Sequence, residues 1–235
     1  MTESRWPEFD DPDNLTPEEL AARRLDLPDG QDFWVFGYGS LMWHPGFPHV
    51  EVRIARLNGF HRSFCVFSHR YRGTPQVPGL VLGLDRGGSC RGLVFRVPAG
   101  EGEEVLDYLY AREMITGVYH PSWRAAKTDQ GSVSAITFVV DRAHRQYAGG
   151  LSHDDMVGLI LQGHGARGPC MEYLENTVHH LQALGLRDRA LERLLKEAKA
   201  RRAASGSSDA GSSGSGPADE GPADQGSSDQ GLVTS

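Results

Sequence analysis

Strand-like and helix-like patterns occupy different parts of this chain, and that segregation limits the folds open to it. Short apolar and β-branched runs at residues 33–36, 54–57, 63–67, 80–84, 92–97 and 133–140 read as strands. Helical periodicity interrupts them once, at residues 103–112, where Val105, Leu106 and Leu109 share a face. It then returns at 153–162, 172–184 and 188–202, with Gly185 placed to end the third of these helices. Strands first and helices late make an α+β arrangement, not an alternating parallel sheet. Asp85-Arg86-Gly87-Gly88-Ser89 reads as a hairpin loop between two of the strands.

Charge divides the chain the same way. The net charge is −7, but residues 1–30 carry −6 and residues 203–235 carry −5, leaving +4 on residues 31–202. A mildly basic middle suits a small anionic substrate and is too weak to argue for nucleic acid. From Ala203 onward the residues are almost wholly Ser, Gly, Ala, Asp, Pro and Gln, a composition with nothing to bury. Thr16-Pro17-Glu18-Glu19 presents an N-cap, a proline at the first helical position and a glutamate at the third, so a short helix through Arg24 follows. The expected organisation is an acidic extension at 1–30, one domain at 31–202 and a disordered tail at 203–235. Cys65, Cys90 and Cys170 show neither a disulfide framework nor zinc spacing. With no secretory h-region and no run of membrane-spanning length, a reducing, cytoplasmic location is expected, with no membrane partner.

Three segments bear on chemistry. Val35-Phe36-Gly37-Tyr38-Gly39-Ser40-Leu41 sets a tyrosine between two glycines directly after a buried strand. Such a turn either aims consecutive N–H groups at one oxygen or simply packs a tyrosine at a tight bend. It is not a dinucleotide fingerprint, because no third glycine opens a helix. Glu113 ends the helix at 103–112, where the negative end of the helix dipole disfavours its charge. It is a candidate proton carrier if partly buried, and otherwise a solvated residue or the partner of Arg112 or Arg124. Arg72, in a loop before the strand at 80–84, either binds a substrate carboxylate or holds the loop through carbonyl contacts. His179 and His180 lack metal-ligand spacing, and no histidine stands as a partner for a cysteine nucleophile.

In this order the segments resemble the ChaC family of γ-glutamylcyclotransferases. The resemblance rests on Phe36-Gly37-Tyr38-Gly39-Ser40-Leu41-Met42-Trp43, Gly59-Phe60-His61-Arg62-Ser63-Phe64 and Arg72-Gly73-Thr74-Pro75. It continues through Pro78-Gly79-Leu80-Val81-Leu82-Gly83-Leu84, Arg91-Gly92-Leu93-Val94-Phe95-Arg96 and Tyr108-Leu109-x-x-Arg112-Glu113-Met114. Gln146-Tyr147-Ala148-Gly149 and Glu172-Tyr173-Leu174-Glu175-Asn176-Thr177 complete it, over about residues 33–195. It implies a compact β-barrel flanked by helices, a glutathione-class substrate, and neither metal nor organic cofactor. By the same resemblance Glu113 is the proton acceptor, the turn at 35–41 binds the γ-glutamyl group, and Arg72, Tyr119 and Tyr173 are further substrate contacts. Two departures concern the pocket: Gly168-Pro169-Cys170-Met171-Glu172 replaces a glycine–asparagine run, and Tyr119 follows a longer spacer after Glu113.

The implied activity is that of a carbon–nitrogen lyase cleaving glutathione to 5-oxoproline and Cys-Gly. The substrate's own amine is the nucleophile, which agrees with the missing catalytic triad. The competing readings are the same cyclisation of another γ-glutamyl amine or amino acid, and a non-catalytic regulatory partner of a cation transporter. The sequence sets no oligomeric state.

Overall fold

The structure is a computed structural model that describes Phe9 and residues 14–209, with side chains to residue 205. The expected tail from residue 210 on lies outside the described residues, as does most of the extension before residue 14.

Five strands, β1 (Phe33–Gly37), β2 (Glu51–Ser68), β3 (Gly79–Val97), β4 (Tyr119–Thr128) and β5 (Gly131–Val140), close into a barrel in the order β1-β3-β2-β4-β5. β1 runs antiparallel to β3 and seals the barrel by parallel pairing to β5 at Trp34–Ala135 and Val35–Ile136. A short strand with a neighbour on each edge suits a continuous apolar run, and Val35 and Phe36 are fully buried.

Four of the expected strands prove to be halves of two long ones. Segments 54–57 and 63–67 belong to β2, and segments 80–84 and 92–97 belong to β3. The two pair from Glu51–Arg96 to Ser68–Gly79, so the chain reverses at residues 69–78. The expectation of a hairpin loop at 85–89 is therefore corrected: these residues lie inside β3, with Asp85 opposite His61 and Ser89 opposite Asn58. Gly87 and Gly88 take φ of +106° and +66°, facing Gly59 at +82°, where the register shifts between Asn58 and Phe60. Positive φ here makes a bulge, which bends and twists a long hairpin enough to close a barrel. β4, which the pattern did not announce, is half-exposed, carries Pro121, and is held by continuous pairing with β5.

The helices follow their caps. α1 (Pro17–Ala22) begins with a complete capping box, the Glu19 amide donating to Thr16 Oγ1 (3.2 Å) and the Thr16 amide to Glu19 Oε2 (2.8 Å), and stops short of Arg24. α2 (Gly102–Glu113) buries Val105, Leu106, Leu109 and Tyr110. The Tyr110 hydroxyl donates to the Arg23 carbonyl (2.7 Å) and accepts from the Leu25 amide (2.9 Å), laying the N-terminal segment on the domain. α3 (His153–Gln162), α4 (Cys170–Ala183) and α5 (Arg189–Asp209) pack together, with α3 and α4 against β3. α4 ends in a Schellman motif at Gly185 (φ +68°), whose amide reaches the Gln182 carbonyl while the Leu186 amide reaches that of Leu181. α5 runs past residue 202, the expected end of the domain. A small hairpin, β6 (His164–Gly165) and β7 (Gly168–Pro169), links α3 to α4.

Gly92 fixes how closely β1 approaches β3. A β-carbon there would collide with the Gly37 carbonyl oxygen and lie 2.9 Å from the Phe36 ring. Gly92→Ala is expected to lower the urea-measured unfolding free energy by about 1–3 kcal/mol. Gly100→Ala, where a β-carbon meets nothing within 4 Å, should stay near wild type in the same titration.

Candidate active site

A cavity of about 310 Å³ opens where the turn after β1, the end of α2, the 69–72 loop and α4 converge. Tyr38, Gly39, Ser40 and Leu41 form one part of its wall, and Glu113, Tyr119, Arg72 and Tyr173 also line it. The turn is a single 3₁₀ turn, Ser40–Met42, in which the Met42 amide bonds the Gly39 carbonyl (2.9 Å) and the His44 amide that of Ser40 (2.8 Å). The amides of Ser40 and Leu41 open this turn and so have no partner within it.

Arg112 ties the turn to α2. Its Nη2 donates to Ser40 Oγ (2.8 Å), and its Nη1 donates to the His44 carbonyl (2.7 Å) and the Tyr108 hydroxyl (2.8 Å). Its Nε lies 3.0 Å from Glu113 Oε1. On the far side of the turn the buried Arg62 donates through Nε to the Tyr38 carbonyl, through Nη2 to the Arg91 carbonyl (2.7 Å), and pairs with Asp188 (3.0 Å). The turn is thus gripped from behind by one guanidinium and from the α2 side by another.

Burial raises the Glu113 pKa, and the neighbouring Arg112, with a smaller effect from Arg167, opposes that rise without cancelling it. Tyr38, Tyr119 and Tyr173 are also pushed up, first by burial and further by the Glu113 charge, so all three phenols stay protonated beside the carboxyl. The Tyr119 hydroxyl donates to the Leu82 carbonyl (2.7 Å). Arg72 does what both of its readings required: it lines the cavity, lies over the Tyr173 ring (5.1 Å), and donates to the Pro169 carbonyl (3.1 Å). The unusual Gly168-Pro169 stretch is β7, so it supplies the carbonyl that steadies this arginine.

Val35, Phe36 and Gly37 do not reach the cavity wall. They sit in β1, with Val35 and Phe36 in the core, and act on the site by placing the turn that follows. Arg124 is not a partner of Glu113, since its guanidinium lies over Phe60 (5.5 Å). The wall also includes residues that spacing did not single out, among them Arg112, Arg167, Trp43 and His180, the last two stacked at 4.6 Å. The three cysteines are buried, and burial pushes Cys65 and Cys170 to about 12 and Cys90 to about 11, which leaves no thiolate for nucleophilic attack. Among the described residues, no three His, Cys, Asp or Glu side chains gather as a metal site.

The architecture is that of the γ-glutamylcyclotransferases. The crystal structure of the yeast γ-glutamylcyclotransferase specific to glutathione matches with a TM-score of 0.65 at 22% identity, covering 72% of this chain and 96% of that one. The chain belongs to the ChaC family, whose profile, described as ChaC-like protein, matches residues 33–201. It is 38% identical over 181 residues to the glutathione-specific γ-glutamylcyclotransferase of Escherichia coli (strain K12), spanning 77% of this chain and 78% of the relative. The glutathione-specific γ-glutamylcyclotransferase 1 of Rattus norvegicus is 29% identical, over 74% of this chain and 81% of the relative.

The raised Glu113 pKa has a consequence for stability. A carboxyl whose pKa is higher folded than unfolded leaves stability intact below the unfolded value and withdraws it as pH rises through the folded one. Glu113→Gln carries no such penalty. Its thermal midpoint should exceed that of wild type at pH 8, with the gap closing as pH falls below 4.5, the ordinary glutamate value. A variant less stable than wild type at pH 8 would show that the Arg112 pair, not burial, dominates.

Proposed function

We propose that this protein is a glutathione-specific γ-glutamylcyclotransferase, releasing 5-oxoproline and Cys-Gly by internal cyclisation of the γ-glutamyl group. The observation that carries the reading is one cavity shared by a buried, Arg-paired carboxylate and the turn at 38–41, in a chain of the ChaC family. The names of the bacterial and rat relatives support glutathione as the substrate. Retention of both Glu113 and the turn on one wall favours turnover over a purely regulatory partner.

The chemistry asks little of the protein. The α-ammonium of the γ-glutamyl group must lose a proton before it can attack, and Glu113 accepts it. The free amine adds to the γ-carbonyl carbon, closing a five-membered ring and placing negative charge on the carbonyl oxygen. As the carbon–nitrogen bond to cysteine breaks, the protonated Glu113 returns its proton to the departing nitrogen. A carboxyl with a pKa raised by burial gives up a proton more readily in neutral solution than an exposed glutamate regains one, which fits both halves of this exchange.

The Ser40 and Leu41 amides hold the substrate's α-carboxylate or its developing oxyanion, and the grip of Arg62 and Arg112 keeps them still. Holding the γ-glutamyl chain curled replaces a rare solution conformer with a bound one, an effect worth roughly 7–11 kcal/mol in well-oriented intramolecular reactions. Tyr119, Tyr173 and Arg72 bound the space in which the chain curls.

We assign the activity to residues 31–202, with 1–30 as an extension and 203–235 as a tail. Three buried free thiols suit a reducing cytoplasm. Among the described residues no helix is long and apolar enough to cross a membrane.

Purified protein incubated with reduced glutathione should yield 5-oxoproline and Cys-Gly in equal amounts. Glu113→Gln should bind glutathione by calorimetry yet turn over about 10²–10⁴-fold more slowly. The wild-type rate should rise with pH through a value above 4.5, since only ionised Glu113 accepts the proton. Wild-type turnover by Glu113→Gln would remove Glu113 as the base.

A further inference from the structure

The cavity wall is electrically lopsided. Among the described residues lining it, Glu113 is the one carboxylate, against Arg70, Arg72, Arg112 and Arg167. Arg112 is spent on Ser40, Tyr108, a carbonyl and Glu113, and Arg72 on the Pro169 carbonyl and the Tyr173 ring. Arg70 reaches Asn14 Oδ1 at 3.4 Å. Arg167 differs: its guanidinium sits over the Tyr71 ring, 4.3 Å from the centroid, and no described residue accepts a hydrogen bond from it.

Its backbone, by contrast, is firmly placed. Arg167 lies between β6 and β7, and its amide donates to the Tyr71 carbonyl (2.9 Å) while the Ala166 amide donates to that of Arg70 (3.0 Å). The hairpin is pressed so closely on the 70–73 loop that a β-carbon at Gly165 would stand 2.6 Å from the Gly73 nitrogen. An exposed arginine held at its base, supported on an aromatic ring and with its donors unspent, is prepared for a planar anion. Its charge also reaches Glu113, so it belongs to the same electrostatic space as the reacting group.

Resting on the cyclotransferase reading, we propose that Arg167 binds the carboxylate at the glycine end of glutathione and thereby sets the preference for that tripeptide. Glutathione carries two carboxylates and one ammonium. The turn at 38–41 and Glu113 take up the γ-glutamyl carboxylate and amine, which leaves the glycine carboxylate as the anion still to be matched. Arg167 acts on binding and not on proton transfer, so its effect falls on KM and leaves the rate at saturation to Glu113.

The test compares glutathione with its glycine ethyl ester, which lacks that negative charge, by following 5-oxoproline from both substrates with the full-length wild type, Arg167→Ala and Arg167→Lys. Wild type should favour glutathione over the ester about ten-fold in kcat/KM, the value of one charge-assisted contact at an exposed site. Arg167→Ala should lose that preference through a raised KM for glutathione, and Arg167→Lys, which keeps the charge without the planar fork, should keep part of it. A wild type indifferent to the ester, or an Arg167→Ala variant that keeps the full preference, would overturn the proposal. Absence of 5-oxoproline from wild type with either substrate would instead end the cyclotransferase reading, and this inference with it.

Discussion

The Arg112 guanidinium joins surfaces that the barrel and its helices would otherwise leave separate. One planar group reaches the Ser40 hydroxyl, the His44 carbonyl, the Tyr108 hydroxyl and Glu113 at once. The end of α2 is thereby fastened to the turn after β1, and the proton carrier stands at a fixed place relative to the amides that face the substrate. A lysine offers three donors around a point and cannot span this set in one plane. The same contact has an electrostatic cost to function, because a cation beside Glu113 favours its ionised form. Burial still prevails, so the carboxyl remains above its ordinary range.

Behind the turn a second arginine does a different job. Arg62 is 6% exposed, and its donors go to the carbonyls of Tyr38 and Arg91 and to Asp188. A buried guanidinium is tolerable only when its charge and its N–H groups are matched, and here both conditions hold. Asp188 also accepts from the Leu191 amide at the start of α5 (3.3 Å), so the last helix is linked through one side chain to the back of the turn. Carbonyls held from behind leave the amides on the other side directed at the cavity. This explains why a site built on a short turn can be rigid, although short turns usually are not.

What could be read in advance follows from the range of the forces involved. The helices were legible because their periodicity and caps are local: Thr16 with Glu19, the stripe Val105, Leu106, Leu109, and Gly185 after Leu184 all act within a few residues. Glu113 was legible as a helix-terminal acid, but its burial and its bond to Arg112 depend on how α2 lies against the turn. Gly87-Gly88 misled because positive φ serves a reversal and a bulge equally well, and only pairing with residues 58–61 distinguishes them. β4 was missed because half-exposed residues in a closed sheet show no clean alternation. Arg167 gave no local signal at all, since its place on the wall comes from a hairpin pressed against a loop nearly a hundred residues earlier.

Two carboxyls in this barrel show how environment separates structural from chemical acids. Asp85 is 5% exposed, and burial pushes its pKa up. Arg142 (2.6 Å), the Tyr147 hydroxyl (2.8 Å) and the Arg86 amide (2.8 Å) more than offset that, so its pKa ends below the ordinary aspartate value. Glu113 is less enclosed, with 19% of its side chain exposed, yet its pKa ends above the ordinary value. The difference lies in the number of donors. Asp85 has three and keeps its charge as part of the scaffold, whereas Glu113 has Arg112 and otherwise faces phenols and open cavity. A carboxylate left short of donors on one side is costly to bury, and that unmet demand is what a substrate ammonium can satisfy. The cavity therefore draws in the positive end of its ligand at the point where a proton must leave it.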